Sequence, residues 1–128
     1  MSAGKLRIES GADLLACRQF TAKGPLRWHV TCCKTPIGNT LSSAFFPTIA
    51  LARCAVGMPE DAVGPVIGQF FRRDATERVG KVGLGRGWPP ILAKFGKIVI
   101  AARMNGEHRK NPYMGNAGRP VARVQRDY

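Results

Sequence analysis

Two cysteines stand side by side in the run Val30-Thr31-Cys32-Cys33-Lys34-Thr35-Pro36, and their thiols offer metal binding or nucleophilic chemistry. A thiolate zinc site needs soft, deprotonated ligands about 2.3 Å from the metal, and a Cys-x-x-Cys turn supplies two because its backbone points both sulfurs inward. The run reads as one half of such a knuckle, and the chain does not carry the other half. On a regular strand adjacent side chains face opposite ways, so at most one thiol of the pair points into a site unless the chain kinks there. Cys33, next to the turn, is the candidate for it, and Cys32 is the second candidate ligand. With His29 recruited the donors number three, short of the four that structural zinc takes. Three roles stay open for Cys33: a buried structural thiol, a ligand in a site completed elsewhere or by a second copy, or a reactive nucleophile.

Other chemistry is thinner. His29 near Cys32 suggests a Cys/His nucleophile, but no orienting acid is evident. Cys17 and Cys54 lie within apolar stretches and read as core thiols, while His108 in Glu107-His108-Arg109-Lys110 reads as solvent-exposed. The acidic residues Glu9, Asp13, Glu60, Asp61, Asp74 and Glu77 form no pair suited to hydrolytic acid/base work, so no catalytic residue is assigned.

The elements that position these residues come from patterning. Lys5 to Glu9 alternates polar and apolar as a strand does, and Ser10 to Asp13 follows as a turn or brief helical start. Leu14 to Phe20 is the next strand. Leu26 to Thr31 alternates again, with Leu26, Trp28 and Val30 on one face and Arg27, His29 and Thr31 on the other. The Gly24-Pro25 loop between them predicts an antiparallel hairpin. Ile37-Gly38-Asn39-Thr40 reads as a break in regularity, and Ala44 to Ala52 as a buried strand with Pro47 at its start or edge. Met58 to Gly68 reads as irregular, and Gly80, Gly83, Gly85 and Gly87 with Arg78, Lys81 and Arg86 as a flexible basic linker lacking phosphate-loop spacing.

Pro89 and Pro90 suit the first turn of a helix, and Ile91, Leu92, Phe95, Ile98, Val99 and Ala102 recur at helical spacing to about Met104. Lys94, Lys97 and Arg103 occupy much of the other face, and Asn105-Gly106 supplies the stop. This helix is expected to cap a small sheet, with attachment to a membrane surface as the alternative. From His108 on, the chain reads as an extended, partly ordered, basic polar tail.

The chain has 128 residues, 45% of them hydrophobic, which suits one domain with a modest core. No apolar run is long enough to span a bilayer, and no signal peptide is read at the start, so a cytoplasmic protein with reduced thiols is expected. The net charge of +12 is uneven: residues 1–71 carry 7 basic and 4 acidic groups, residues 72–128 carry 13 and 4. Such a field draws nucleic acid or an acidic partner to 72–128, unless it is simply a solvated basic face. Few aromatics interleave with that charge, which argues against a stacking platform there.

The segments Ser10-Gly11-Ala12-Asp13-Leu14-Leu15, Arg18, Arg27-Trp28 and Cys33-Lys34-Thr35-Pro36-Ile37 resemble the C-terminal half of the glutathione-dependent formaldehyde-activating enzyme family, which includes relatives of centromere protein V. There an aromatic-bearing strand leads into a Cys-x-x-Cys-Gly-Thr-Pro-Leu knuckle. Trp88-Pro89-Pro90-Ile91-Leu92, His108-Arg109 and Gly118-Arg119-Pro120-Val121 are closer to an uncharacterised subfamily. The resemblance implies a β-tent fold that binds zinc, and in the enzymes a carbon–sulfur lyase acting on a glutathione adduct. Matched to the motif, Cys33 is the second knuckle cysteine, Lys34 replaces its glycine and Val30 its first cysteine. The family's earlier Cys-x-Cys and Cys-x-x-Cys motifs would lie before residue 10. Either a further stretch bearing them precedes this chain, or it is a short relative that has lost metal chemistry.

The expectation is therefore a mainly β domain of short antiparallel strands with one late amphipathic helix. Residues 1–87 form a partial β-tent-like domain, 88–106 the helix and 107–128 the basic tail. As given, the chain is a formaldehyde-activating relative incomplete at its zinc sites and not an active lyase alone. The alternative is a small basic module that binds nucleic acid or an acidic partner.

Overall fold

The computed structural model describes residues 1–52, 55, 57, 59, 88–115 and 117–128, with the backbone alone at Trp88 and Pro90. The irregular stretch and the basic linker expected between Met58 and Gly87 lie outside the described residues, apart from Pro59, as does Cys54. Two compact units emerge, Met1–Gly57 with Ile98–Tyr128 and Met58–Lys97.

The first unit holds a five-stranded sheet. Its strands are β1 (Leu15–Gln19), β2 (Leu26–Val30), β3 (Pro36–Thr40), β4 (Ile49–Leu51) and β5 (Val124–Arg126). They lie in the order β4-β3-β2-β1-β5, antiparallel except for the β1–β5 pair. The protein is thus mainly β. The alternation in β1 and β2 sets the register, because a slip of one residue would carry every buried side chain to the other face. Cys17 faces Trp28, Trp28 faces Gly38 and Gly38 faces Leu51, with Val124 beside Cys17. This row is the inner face, and Cys17, Leu26, Trp28 and Ile49 are buried there.

Gly38 sits in this row for a steric reason. A Cβ there would stand 2.5 Å from the Ala50 carbonyl oxygen on β4, so only glycine lets the two strands close. The residues read as a break, Ile37 to Thr40, are therefore part of a central strand. Trp28, opposite Gly38 in the register, donates its indole N–H to Thr40 Oγ1 at 2.9 Å.

Three further expectations change. Lys5–Glu9 is not a strand: Ala3–Lys5 is a 3-10 turn with Ala3 in the core and Leu6 packed against it, and it is Ser2, just before the turn, that bridges Thr48 edgewise. Of the strand read over Ala44–Ala52 only Ile49–Leu51 pairs with β3. Pro47 precedes it, where its missing N–H costs no ladder bond, as expected. The segment 107–128 is not a loose tail. Tyr113 and Met114 are core residues, Tyr113 meets Trp28 at a ring-centroid distance of 5.0 Å, and β5 pairs with β1. Ala122 and Val124 pack against the same core, while Val121 and Tyr128 stay exposed.

The helix α1 (Trp88–Met104) is found where the spacing predicts it. It begins in the second unit and ends in the first. Gly106, with φ of 70°, takes the left-handed conformation that stops it. Val99 and Ala102 are buried, while Ile100 and Met104 are exposed. Among the described residues the cluster on the inner face of the sheet contains Ala3, Tyr113 and Met114 and none from α1, so irregular segments rather than the expected helix cover the sheet there. No helix among the described residues is long and apolar enough to cross a membrane.

Candidate functional site

The same alternation that buries Trp28 exposes its neighbours. On the outer face Arg18 of β1 stands opposite Arg27 of β2, Arg27 opposite Asn39 of β3, and Asn39 opposite Ala50 of β4. One step along, His29 lies opposite Ala16 and Pro36. The pairing slips by one residue between Trp28 and His29, so the extra residue in β3 is Ile37. Such a bulge increases local twist and re-aims the strand end.

The outcome is a groove of about 570 Å³ whose lining includes Arg18, Phe20, Arg27, His29, Lys34 and Asn39. That volume lies within the ordinary span of ligand clefts. Phe20 is 46% exposed, with the Arg27 guanidinium carbon 5.2 Å and the Arg18 carbon 6.0 Å from its ring centroid. Like charges directly opposite on paired strands destabilise a sheet. Here Asp127, brought alongside by β5, offsets one of them: Arg18 Nε and Asp127 Oδ2 are 3.1 Å apart. Being partly exposed, that pair contributes at most about 1 kcal/mol. Arg27 has cation–π contact with Phe20 and no ion pair among the described residues.

The hairpin carrying the two cysteines closes one end of this face. Val30 donates its N–H to the Thr35 oxygen at 3.0 Å and accepts the Lys34 N–H at 2.9 Å, holding Thr31 to Lys34 in a tight turn. Lys34 has φ of 57°, a left-handed conformation that costs a side-chain-bearing residue about 1–2 kcal/mol. Cys32 and Cys33 both lie in the turn rather than on a strand, and both are exposed. Cys33 is therefore not the inward thiol that strand geometry suggested, because opposite-facing alternation does not govern a turn. Its Sγ is 2.9 Å from Thr35 Oγ1. The Thr35 hydroxyl first, and the Thr35 backbone second, hold the Cys33 thiol below its ordinary range. Cys17, buried beneath the sheet, shows the opposite: desolvation pushes its thiol up to about 11.

The zinc expectation can be set against this geometry. Among the described residues no three or more His, Cys, Asp or Glu side chains gather closely enough to hold a metal ion. Cys32 and Cys33 with His29 do not make the four-ligand set of a structural site. His108 also departs from expectation: it is partly buried, and among the described residues its Nδ1 has no hydrogen-bond partner. Sequence reasoning missed the Arg18–Phe20–Arg27 constellation. The signal was present in the predicted hairpin, since pairing Leu14–Phe20 with Leu26–Thr31 brings the outward arginines together.

No curated protein and no solved structure shows a significant match to the chain. A family model does, over residues 3–125, and its span takes in every strand but the last residue of β5. The chain belongs to that family, a family of unknown function (DUF6151).

Proposed function

We propose that this chain is a small basic binding module that holds a strand of nucleic acid across the outer face of its sheet. The observation that carries this reading is the cross-strand pair Arg18 and Arg27 beside the exposed ring of Phe20. Cations that follow a phosphate backbone, together with an aromatic face on which a base stacks, are the combination by which proteins hold single strands. Lys34 extends the cationic lining toward the hairpin, and the net charge of +12 favours encounter with a polyanion. Phe20 gives the groove one exposed ring on which a base stacks, so affinity without strong sequence preference is expected.

The test is fluorescence anisotropy with a labelled single-stranded oligonucleotide of about 15 nucleotides over a range of salt. Arg27→Ala lowers affinity roughly fivefold and reduces the slope of log K against log salt by about 0.7. Binding that survives Arg27→Ala unchanged, or that an acidic peptide displaces as well as unlabelled oligonucleotide does, contradicts the assignment.

A second reading keeps the resemblance to formaldehyde-activating enzymes, and Lys34 is the observation that favours it. It stands where the family motif has glycine and takes the left-handed conformation that glycine favours. The turn has that shape, but a zinc site and a lyase-like activity on a glutathione adduct would need ligands beyond Cys32 and Cys33. Zinc stoichiometry of the reduced protein, beside Cys33→Ser, tests it. One zinc per chain that the variant loses supports the relation, and none bound contradicts it.

A further inference from the structure

We propose that the Cys32–Cys33 turn is a site of reversible thiol oxidation by peroxide, in which Cys33 is the attacking sulfur and Cys32 resolves it. This goes beyond binding at the outer face and does not depend on it. Three observations meet at the turn. Both thiols are exposed, whereas Cys17 is buried under Trp28. The two are distinguished by their surroundings: Cys33 Sγ has the Thr35 hydroxyl 2.9 Å away, placed to donate to a thiolate. Lys34, the next residue in sequence, adds a positive charge to the hairpin. An accessible thiol with a stabilised thiolate and a second thiol next to it is the arrangement on which oxidation is selective and reversible.

The chemistry balances with peroxide as the oxidant. The Cys33 thiolate attacks one peroxide oxygen, the O–O bond breaks, and the departing hydroxide takes up the thiol's proton as water, leaving a sulfenic acid. The Cys32 sulfur then attacks the Cys33 sulfur, the S–O bond breaks, and the hydroxide leaves as water with the Cys32 proton. Two thiols lose two electrons and one peroxide becomes two waters. A turn is where this closure is feasible, since paired strands would hold adjacent side chains on opposite faces. Neighbouring Cα atoms are about 3.8 Å apart, closer than the roughly 4.4–6.8 Å of ordinary bridges. The product is therefore strained, and strained, exposed disulfides are the readily reduced kind.

The experiment treats the reduced full-length protein with hydrogen peroxide, blocks remaining thiols with iodoacetamide and reads tryptic peptides by mass spectrometry. The peptide Trp28–Lys34 contains both residues and neither of the other cysteines. The expected result is that this peptide becomes unalkylated and lighter by two hydrogens, and recovers both alkylations after reduction. In Cys32→Ser a dimedone-trapped sulfenic acid accumulates at Cys33, in Cys33→Ser Cys32 stays a thiol over the same time, and Thr35→Val slows the reaction roughly threefold. Oxidation of the Cys17 peptide at the same rate, first reaction at Cys32, only disulfide-linked dimers, or an unchanged rate in Thr35→Val overturns the proposal.

Discussion

Trp28 fills the centre of the inner row, and its indole N–H meets Thr40 Oγ1 in a place closed to water. Thr40→Val keeps the shape but strands that donor, and a buried unsatisfied N–H costs about 1–3 kcal/mol, readable as a lower urea midpoint with unchanged slope. Lys34 makes the opposite case. Lys34→Gly relieves a left-handed backbone and is expected to stabilise the protein by about 1 kcal/mol while weakening oligonucleotide binding, because a cation leaves the groove. Cys17 ties stability to alkaline pH. Its thiol ionises near 9 when unfolded and near 11 when folded, so between those values the folded state binds more protons and stability falls as pH rises. The loss is on the order of 1–2 kcal/mol, and burial raises Tyr113 in the same direction. Denaturation curves from pH 8 to 11 should therefore fall less steeply for Cys17→Ala than for the parent protein.

At the scale of elements, legibility followed the strength of local pattern. β1, β2 and α1 were readable because alternation in Leu26–Val30 and helical spacing from Ile91 to Ala102 are strong signals and because Pro89 and Gly106 punctuate the helix. β3 was not, since Pro36, Gly38 and Asn39 have poor strand propensity and the segment is held by its neighbours: Trp28 on one side, the Ala50 carbonyl on the other. Gly38→Ala should accordingly cost roughly 1–3 kcal/mol by pushing β4 away, a large effect for one methyl group on a strand. β5 was missed because three residues, two of them polar, give no periodicity, and its partner β1 lies about a hundred residues earlier. The candidate site was half legible. Cys32, Cys33 and Lys34 stood out by type, but the Arg18–Arg27 neighbourhood needs the register, which only the folded sheet supplies.

For the whole molecule, the segment 107–128, read from the sequence as a basic polar tail, is part of the fold. Arg123 and Arg126 flank or lie on β5, and Asp127 joins Arg18 across the sheet edge. Removing residues 107–128 should therefore unfold the first unit rather than simply abolish binding, with loss of the near-ultraviolet signal of Trp28 as the sign. Point substitutions on the outer face are the sounder probe of function. Most direct is an NMR titration that follows the side-chain Nε–H signals of Arg18 and Arg27 and the side-chain amide of Asn39 as single-stranded oligonucleotide is added. Binding across the outer face predicts shifts at these three groups that diminish with added salt. Shifts confined to Arg119, Arg123 and Arg126, or none at low salt, would contradict it.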